Sequence, residues 1–287
     1  MDVTVVILTR NEEVNIVDCL KSVEGFAART VVVDSQSEDG TVEIARRMGA
    51  DVYVHEFENY ARQFNWALDH ADITTKWTFR LDADERLTPE LCAELEKLAE
   101  AHDGDDVNGI VMEAWLYFLG KKIKHGCHNK RKIMMFKTGI GRIEDRKMDE
   151  HTVLSEGVSV AAKNRFIHYD FKDMTHWINK MNWYATREMQ DYYDFKNGKR
   201  AEELEGNDAV TAKIRKKKFG MYYRFPPFFR CWLLFIYNYI FRLGFLDGKA
   251  GFVYNYMYHR WYRTLVDTKI YEQKITNKPF EKTGALK

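Results

Sequence analysis

Trp77-Thr78-Phe79-Arg80-Leu81-Asp82-Ala83-Asp84-Glu85 runs from a strand-length apolar stretch into three acids within four residues. Carboxylates held that close repel one another, so a fold that gathers them at the end of a buried strand commonly does so to bind a divalent cation. Such a cation would be hard, oxygen-ligated and shared with a substrate phosphate. The same residues also read as a solvated turn before a helix, with Thr88-Pro89-Glu90 as its N-cap and first turn. Both readings stand until the rest of the chain is considered.

Upstream, strands and helices alternate. Val3 to Thr9 is a β-branched apolar run, and Asn11 to Val23 carries apolar residues at the helical spacing Val14, Ile16, Val17, Leu20, Val23. Thr30 to Asp34 predicts a second strand, Gly40 to Met48 a second helix, and Asp51 to His55 a third strand. Tyr60 to His70 predicts a third helix, and Lys76 to Leu81 the strand that ends in the acids. A helix between consecutive strands returns the chain to the same edge, so the strands are parallel. Ligands of an open α/β sheet sit at the carboxyl ends of its strands.

Polar residues gather at those ends. Thr9, Arg10, Asn11 and Glu12 follow the first strand, Asp34, Ser35, Ser37 and Asp39 the second, and Asp82, Asp84 and Glu85 the fourth. Ser37 to Thr41 fits a helix N-cap, whereas Asp34 ends the strand itself. Neither G-x-G-x-x-G nor G-x-x-x-x-G-K follows any strand, which removes most support for a dinucleotide or P-loop site.

Ile110 to Phe118 and Lys132 to Phe136 predict two further strands, with the basic loop Lys121 to Gly126 between them, and Val153 to Val160 another. Beyond Trp177 the chain turns helical and aromatic. Phe225 to Phe241 is apolar for long enough to raise a membrane span, but Arg230 and Asn238 interrupt it, and Arg242 follows, leaving less than the roughly 20 residues a span needs. Trp232, Tyr237 and Tyr239, beside Lys213 to Lys218, fit a helix lying at an anionic membrane surface. A helical hairpin with its aromatics in the core is the other reading.

The 287 residues suffice for a large core. Cys19, Cys92, Cys127 and Cys231 show no metal or disulfide spacing, and the N-terminus lacks a signal-peptide pattern, so a cytoplasmic location is expected. From Phe195 onward the net charge is +11, against −10 before it, which points to an anionic partner for the tail. Long apolar runs beside those charges argue against nucleic acid.

Four motifs, Val5 to Glu13, Val31 to Thr41, Ala61 to Leu68 and Leu81 to Glu85, together resemble the family 2 inverting glycosyltransferases, especially bacterial enzymes of lipopolysaccharide core, capsule or exopolysaccharide synthesis. Met148 to His151 and Leu243 to Gly251 are similar to the same subgroup. The resemblance implies a GT-A fold: an open, mostly parallel α/β sheet flanked by helices, with a Rossmann-like nucleotide-binding half and a C-terminal aromatic helical appendage. It implies a catalytic domain over 1–175, divided into a donor half, 1–105, and an acceptor half, 106–175, with a membrane-docking region over 176–287.

Residue by residue, the resemblance implies that Thr9 and Glu12 line the nucleotide end and that Asp34 meets uracil or ribose. It places Arg62 and Asn65 near the phosphates, Asp82 on ribose or sugar, and Asp84 on Mn²⁺ or Mg²⁺. Inversion requires a carboxylate across the sugar to take the acceptor proton. Glu150 is the expected base, with Asp149 beside it, and His151 fits a strand-end hydrogen-bonding residue. Arg142, Arg146 and Lys147 fit either phosphate contacts or solvated cations. The expected reaction moves a sugar, with a UDP-sugar favoured as donor, to a lipid-linked or polysaccharide acceptor at the inner face of the cell membrane. A nucleotidyltransferase acting on sugar phosphates is the second enzyme class, but it would carry a basic Gly-rich loop where Thr9 to Glu13 is acidic. A catalytically silent nucleotide-sugar or lipid-binding module is the non-enzyme alternative.

Overall fold

The computed structural model describes residues 1–127, 131–144, 151–169, 173–197 and 221–277. The chain forms two compact units, one of residues 1–117 with 129–170, the other of 118–128 with 171–287.

In the first unit, β1 (Val3–Thr9), α1 (Glu13–Val23), β2 (Arg29–Asp34), α2 (Thr41–Arg47), β3 (Asp51–Val54), α3 (Tyr60–His70) and β4 (Trp77–Asp82) alternate as the sequence predicts. β5 (Glu85–Arg86), α4 (Pro89–Ala101) and β6 (Val107–Phe118) follow; β7 (Lys121–Ile123) lies in the second unit. β8 (Arg131–Lys137), β9 (Gly141–Ile143), β10 (Thr152–Leu154) and β11 (Val158–His168) complete the first. The strand expected over Val153 to Val160 is two strands, because Gly157 turns the chain between them at φ +77°, a conformation only glycine adopts freely.

The sheet runs β3-β2-β1-β4-β8-β6-β11-β5. The first four strands of that path are parallel, β8 runs antiparallel to both its neighbours, and β11 is parallel to β6. Helices cover both faces of the parallel part, so β1 reads as an unbroken buried apolar run. Val3, Val5 and Ile7 pack with Ile16, Leu20, Phe79 and Leu91 on one face. Val6 packs with Val31, Phe64 and Phe136 on the other. Register then aligns the polar strand ends: Thr9 lies opposite Asp34, and Leu8 opposite Asp82.

In the second unit, α5 (Met174–Lys196) is capped by the Asp173 side chain on the His176 amide. α6 (Phe229–Ile236) continues through a π-helical turn, Tyr237–Phe241, and α7 (Gly248–Asn255) through a second, Tyr256–Tyr262, into α8 (Arg263–Thr276). Arg230, which interrupts the apolar run in the sequence, is buried against Asp267, and Asn238 is buried with its amide on the Leu234 carbonyl at 2.8 Å. Among the described residues no helix is long and apolar enough to cross a membrane.

Candidate active site at the acid-ended strand

The loops after β1 and β2 are laced into one rim. Asn11, in the left-handed region at φ 54°, donates its amide to Ser37 Oγ at 2.8 Å and accepts the Glu38 amide at 2.8 Å. The Glu12 amide donates to Thr41 Oγ1, and Glu13 Oε2 accepts from the Gly40 amide. Fully buried Asp34 accepts from Thr9 Oγ1 at 2.8 Å, the Ser37 amide at 2.8 Å and Ser37 Oγ at 2.5 Å. Thr9 and Asp34 thus meet, and the bonds that Asp34 accepts from Thr9 and Ser37 hold the rim's shape. The Ser37 to Thr41 stretch does more than cap α2: it ties the two loops together.

From the rim, Glu12 Oε2 accepts from Asn15 Nδ2 at 2.8 Å, and Asn15 Oδ1 accepts from Arg86 Nη2 at 3.2 Å. Arg86 donates to the carbonyls of Ala83 at 2.9 Å and Glu85 at 3.0 Å. This chain of bonds fixes the acid turn relative to β1. Thr88 does cap α4, accepting the Leu91 amide at 3.2 Å, so the helix-start reading of Thr88-Pro89-Glu90 is correct.

The three acids occupy different environments. Asp82 accepts the Tyr60 hydroxyl at 2.5 Å and stands 3.4 Å from Lys132 Nζ. Arg80 Nε donates to the same Tyr60 oxygen at 2.7 Å. Burial pushes the Asp82 carboxyl up, but Lys132, Arg80 and the Tyr60 hydroxyl outweigh it and hold the group well below the usual carboxylate range. Burial lifts the Tyr60 phenol well above its ordinary value, so it stays a donor. Glu85 is buried, accepts the Asp82 amide at 3.0 Å and lies 3.2 Å from Lys132. Burial raises its carboxyl above the ordinary value, with Lys132 opposing and Asp82 adding to the rise.

Asp84 is turned elsewhere. Its Oδ2 lies 3.4 Å from Nε2 of His168, a buried histidine at the end of β11, and its backbone carbonyl accepts the Tyr169 amide at 2.8 Å. β11 reaches the turn by pairing His168 with Glu85. A carboxylate and an imidazole side by side fit a divalent cation completed by ligand and water oxygens, as when a metal is shared with phosphates. Among the described residues no set of three or more His, Cys, Asp and Glu side chains could hold an ion alone, so substrate oxygens would have to complete this one.

Arg62 and Asn65 have separate partners. Arg62 is exposed and ion-paired with Glu58, one helical turn away. Asn65 uses both ends of its amide on Ile143, donating to the carbonyl at 2.8 Å and accepting the amide at 3.0 Å, which docks β9 on α3. Arg142 is bidentate to Asp69, at 2.9 and 2.6 Å. The Glu144 amide donates to the His151 carbonyl at 3.0 Å. Asp149 and Glu150, and with them Arg146 and Lys147, lie outside the described residues.

Lys132, Tyr60, Arg80 and His168 were missed by sequence reasoning. Buried Arg80 also keeps Nη1 without a hydrogen-bond partner among the described residues. Arg80 lies in the strand that leads into the acids, and that position was the available signal: a charged residue two places before Asp82, in a run otherwise buried, needs partners.

Residues 4–155 match Glycosyl transferase family 2, over half of the chain. An uncharacterized glycosyltransferase of Rickettsia typhi is 26% identical over 194 residues, covering 64% of this chain and 66% of that protein, just under two thirds of its length. The lipopolysaccharide core biosynthesis glycosyltransferase LpsC of Rhizobium meliloti is 26% identical over 261 residues, 88% of each chain. Among solved structures, glucosyl-3-phosphoglycerate synthase from Mycobacterium tuberculosis, crystallised with Mn²⁺ and uridine diphosphate, is 17% identical at a TM-score of 0.33, covering 40% of this chain and 44% of that one. The mixed α/β sheet agrees with the GT-A architecture that the resemblance implied. With the match spanning most of the unit that carries the acid-ended strand, the chain belongs to glycosyl transferase family 2.

Proposed function

We propose that the first unit is an inverting transferase that moves a sugar from a nucleotide-sugar, with a UDP-sugar favoured, to a hydroxyl of a lipid-linked or polysaccharide acceptor in bacterial surface-glycan synthesis. The observation that carries the reading is the division of labour within one turn: Asp82 is ion-paired with Lys132 and accepts the Tyr60 hydroxyl, while Asp84 faces His168. Asp84 and His168 would hold Mn²⁺ or Mg²⁺. A bound cation would offset charge developing on the leaving diphosphate.

Asp82, held ionised and fixed, accepts from a ribose or sugar hydroxyl. Thr9, Glu12 and Asp34 shape the nucleotide rim, and Arg62 supplies a cation beside it. Asn65 positions β9 ahead of residues 145–150, where Glu150, with Asp149 as its neighbour, takes the acceptor proton. The LpsC similarity supports lipopolysaccharide core as the acceptor class. The second unit, basic and aromatic, would keep the enzyme at the cytoplasmic surface of an anionic membrane, where such acceptors are built.

The test is transfer from a panel of nucleotide-sugars to lipid-linked acceptors, with and without Mn²⁺. Metal-dependent transfer supports the reading. Transfer undiminished by chelation removes the metal assignment, and no transfer from any donor removes the enzyme's proposed reaction class.

A further inference from the structure

The basic loop between β6 and β8 is tied to the far end of the α6–α7 hairpin. Asp247 Oδ2 accepts the amides of Lys124 at 2.9 Å and His125 at 2.8 Å, and its Oδ1 lies 3.0 Å from His125 Nδ1. The Gly126 amide donates to the Arg242 carbonyl at 3.0 Å, and a Cβ on Gly126 would meet the Asn238 carbonyl oxygen at 2.6 Å. A glycine is therefore required for the loop to sit this close to the helices.

The tip beside that loop is apolar and uncovered. Phe241 is 73% exposed and Leu246 56%, with Leu243 and Phe245 each at 44%. Along the hairpin flanks Trp232 and Tyr237 are exposed as well. An exposed apolar surface of that extent marks a protein or membrane contact.

Charge decides between those. From Phe225 to Val266 the chain has one acid, Asp247, and its carboxylate is taken up by the loop. Lys121, Lys124 and Lys249 are exposed. Among the described residues of the loop, 121–126, and of the hairpin, 225–266, the exposed charges are thus positive, which opposes self-association through the tip and suits anionic headgroups.

We propose that the hairpin tip, Phe241 to Leu246, inserts into the interface of an anionic lipid bilayer while Lys121, Lys124 and Lys249 bind its phosphates. This deepens the membrane-surface reading above by assigning the contact to the hairpin tip and the β6–β8 loop rather than to Lys213–Lys218.

Co-sedimentation of the full chain with phosphatidylcholine vesicles, with and without phosphatidylglycerol, tests it. Wild type should partition onto anionic vesicles and release at high salt. Lys121→Glu/Lys124→Glu should bind about 25-fold more weakly, taking about fivefold per lysine. Phe245→Ser/Leu246→Ser should lose the salt-resistant part. An environment-sensitive dye on Leu246→Cys, in a Cys92→Ser background, should shift to the blue on anionic vesicles, a readout independent of any folding defect in the other variants. Unchanged partitioning of both double variants, with loss only on altering Lys213–Lys218, overturns this assignment and leaves membrane docking standing. Wild type that ignores all vesicles overturns both. A concentration-dependent dimer abolished by the tip variant, without vesicle binding, gives the surface to a second copy and overturns the proposal.

Discussion

His168 Nε2 lies 3.4 Å from Asp84 Oδ2, bringing together the end of β11 and the turn after β4, residues 84 positions apart in the sequence. The pair is the part of the candidate site best suited to a cation. His168→Ala should weaken Mn²⁺-supported nucleoside diphosphate binding by about 10–100-fold, the range seen when a metal site loses a supporting ligand or its partner. Isothermal titration with and without Mn²⁺ reads this, and equal losses in both conditions would assign His168 to packing instead.

Lys132 serves two carboxylates at once, 3.4 Å from Asp82 and 3.2 Å from Glu85. Removing one member of such a network leaves uncompensated buried charge, so Lys132→Met should cost about 3–5 kcal/mol of stability at neutral pH. Urea denaturation measures the loss, and restoring charge balance with Lys132→Met/Glu85→Gln should recover part of it.

The same network predicts a pH dependence. Asp82 has a folded-state pKa below its ordinary value, so its ionisation stabilises the fold fully above about pH 4 and less as the pH falls toward the folded-state value. Glu85, raised by burial, has the opposite sign. Asp82→Asn should therefore differ most from wild type above about pH 4, with the gap narrowing in more acidic solution. Chemical denaturation across that range tests the sign, and a gap that widens in acid contradicts it.

Asn65 bonds both backbone groups of Ile143, and Ile143 pairs with Thr152 across the strands flanking residues 144–151. Asn65→Ala leaves those groups without partners, at about 1–3 kcal/mol of stability. As a positioning residue it should lower kcat with the donor KM nearly unchanged. A raised donor KM at unaltered kcat would instead mean that Asn65 touches the nucleotide.

The parallel half of the fold was legible because its strands are short, largely apolar runs that end in polar residues, with helix-length segments between them, and the first helix shows its apolar period. That Thr9 lies opposite Asp34 emerged only with the register of the folded sheet. His168 was not legible: it closes an 11-residue strand that the sequence had placed as ending at Val160, since Lys163, Asn164 and Arg165 break the apolar alternation. Lys132 was read as the first residue of a strand, and its burial depends on an antiparallel crossing that no local pattern encodes. The tether between Asp247 and His125 joins residues 122 positions apart, so the basic loop and the aromatic hairpin read as separate features until folded.

Asp84→Asn tests the central claim most directly, because the substitution keeps the side chain's shape and removes the charge that would bind the cation. Mn²⁺-dependent donor binding and sugar transfer should both be abolished, with the melting temperature of the metal-free protein little changed. Undiminished turnover by this variant would contradict the account.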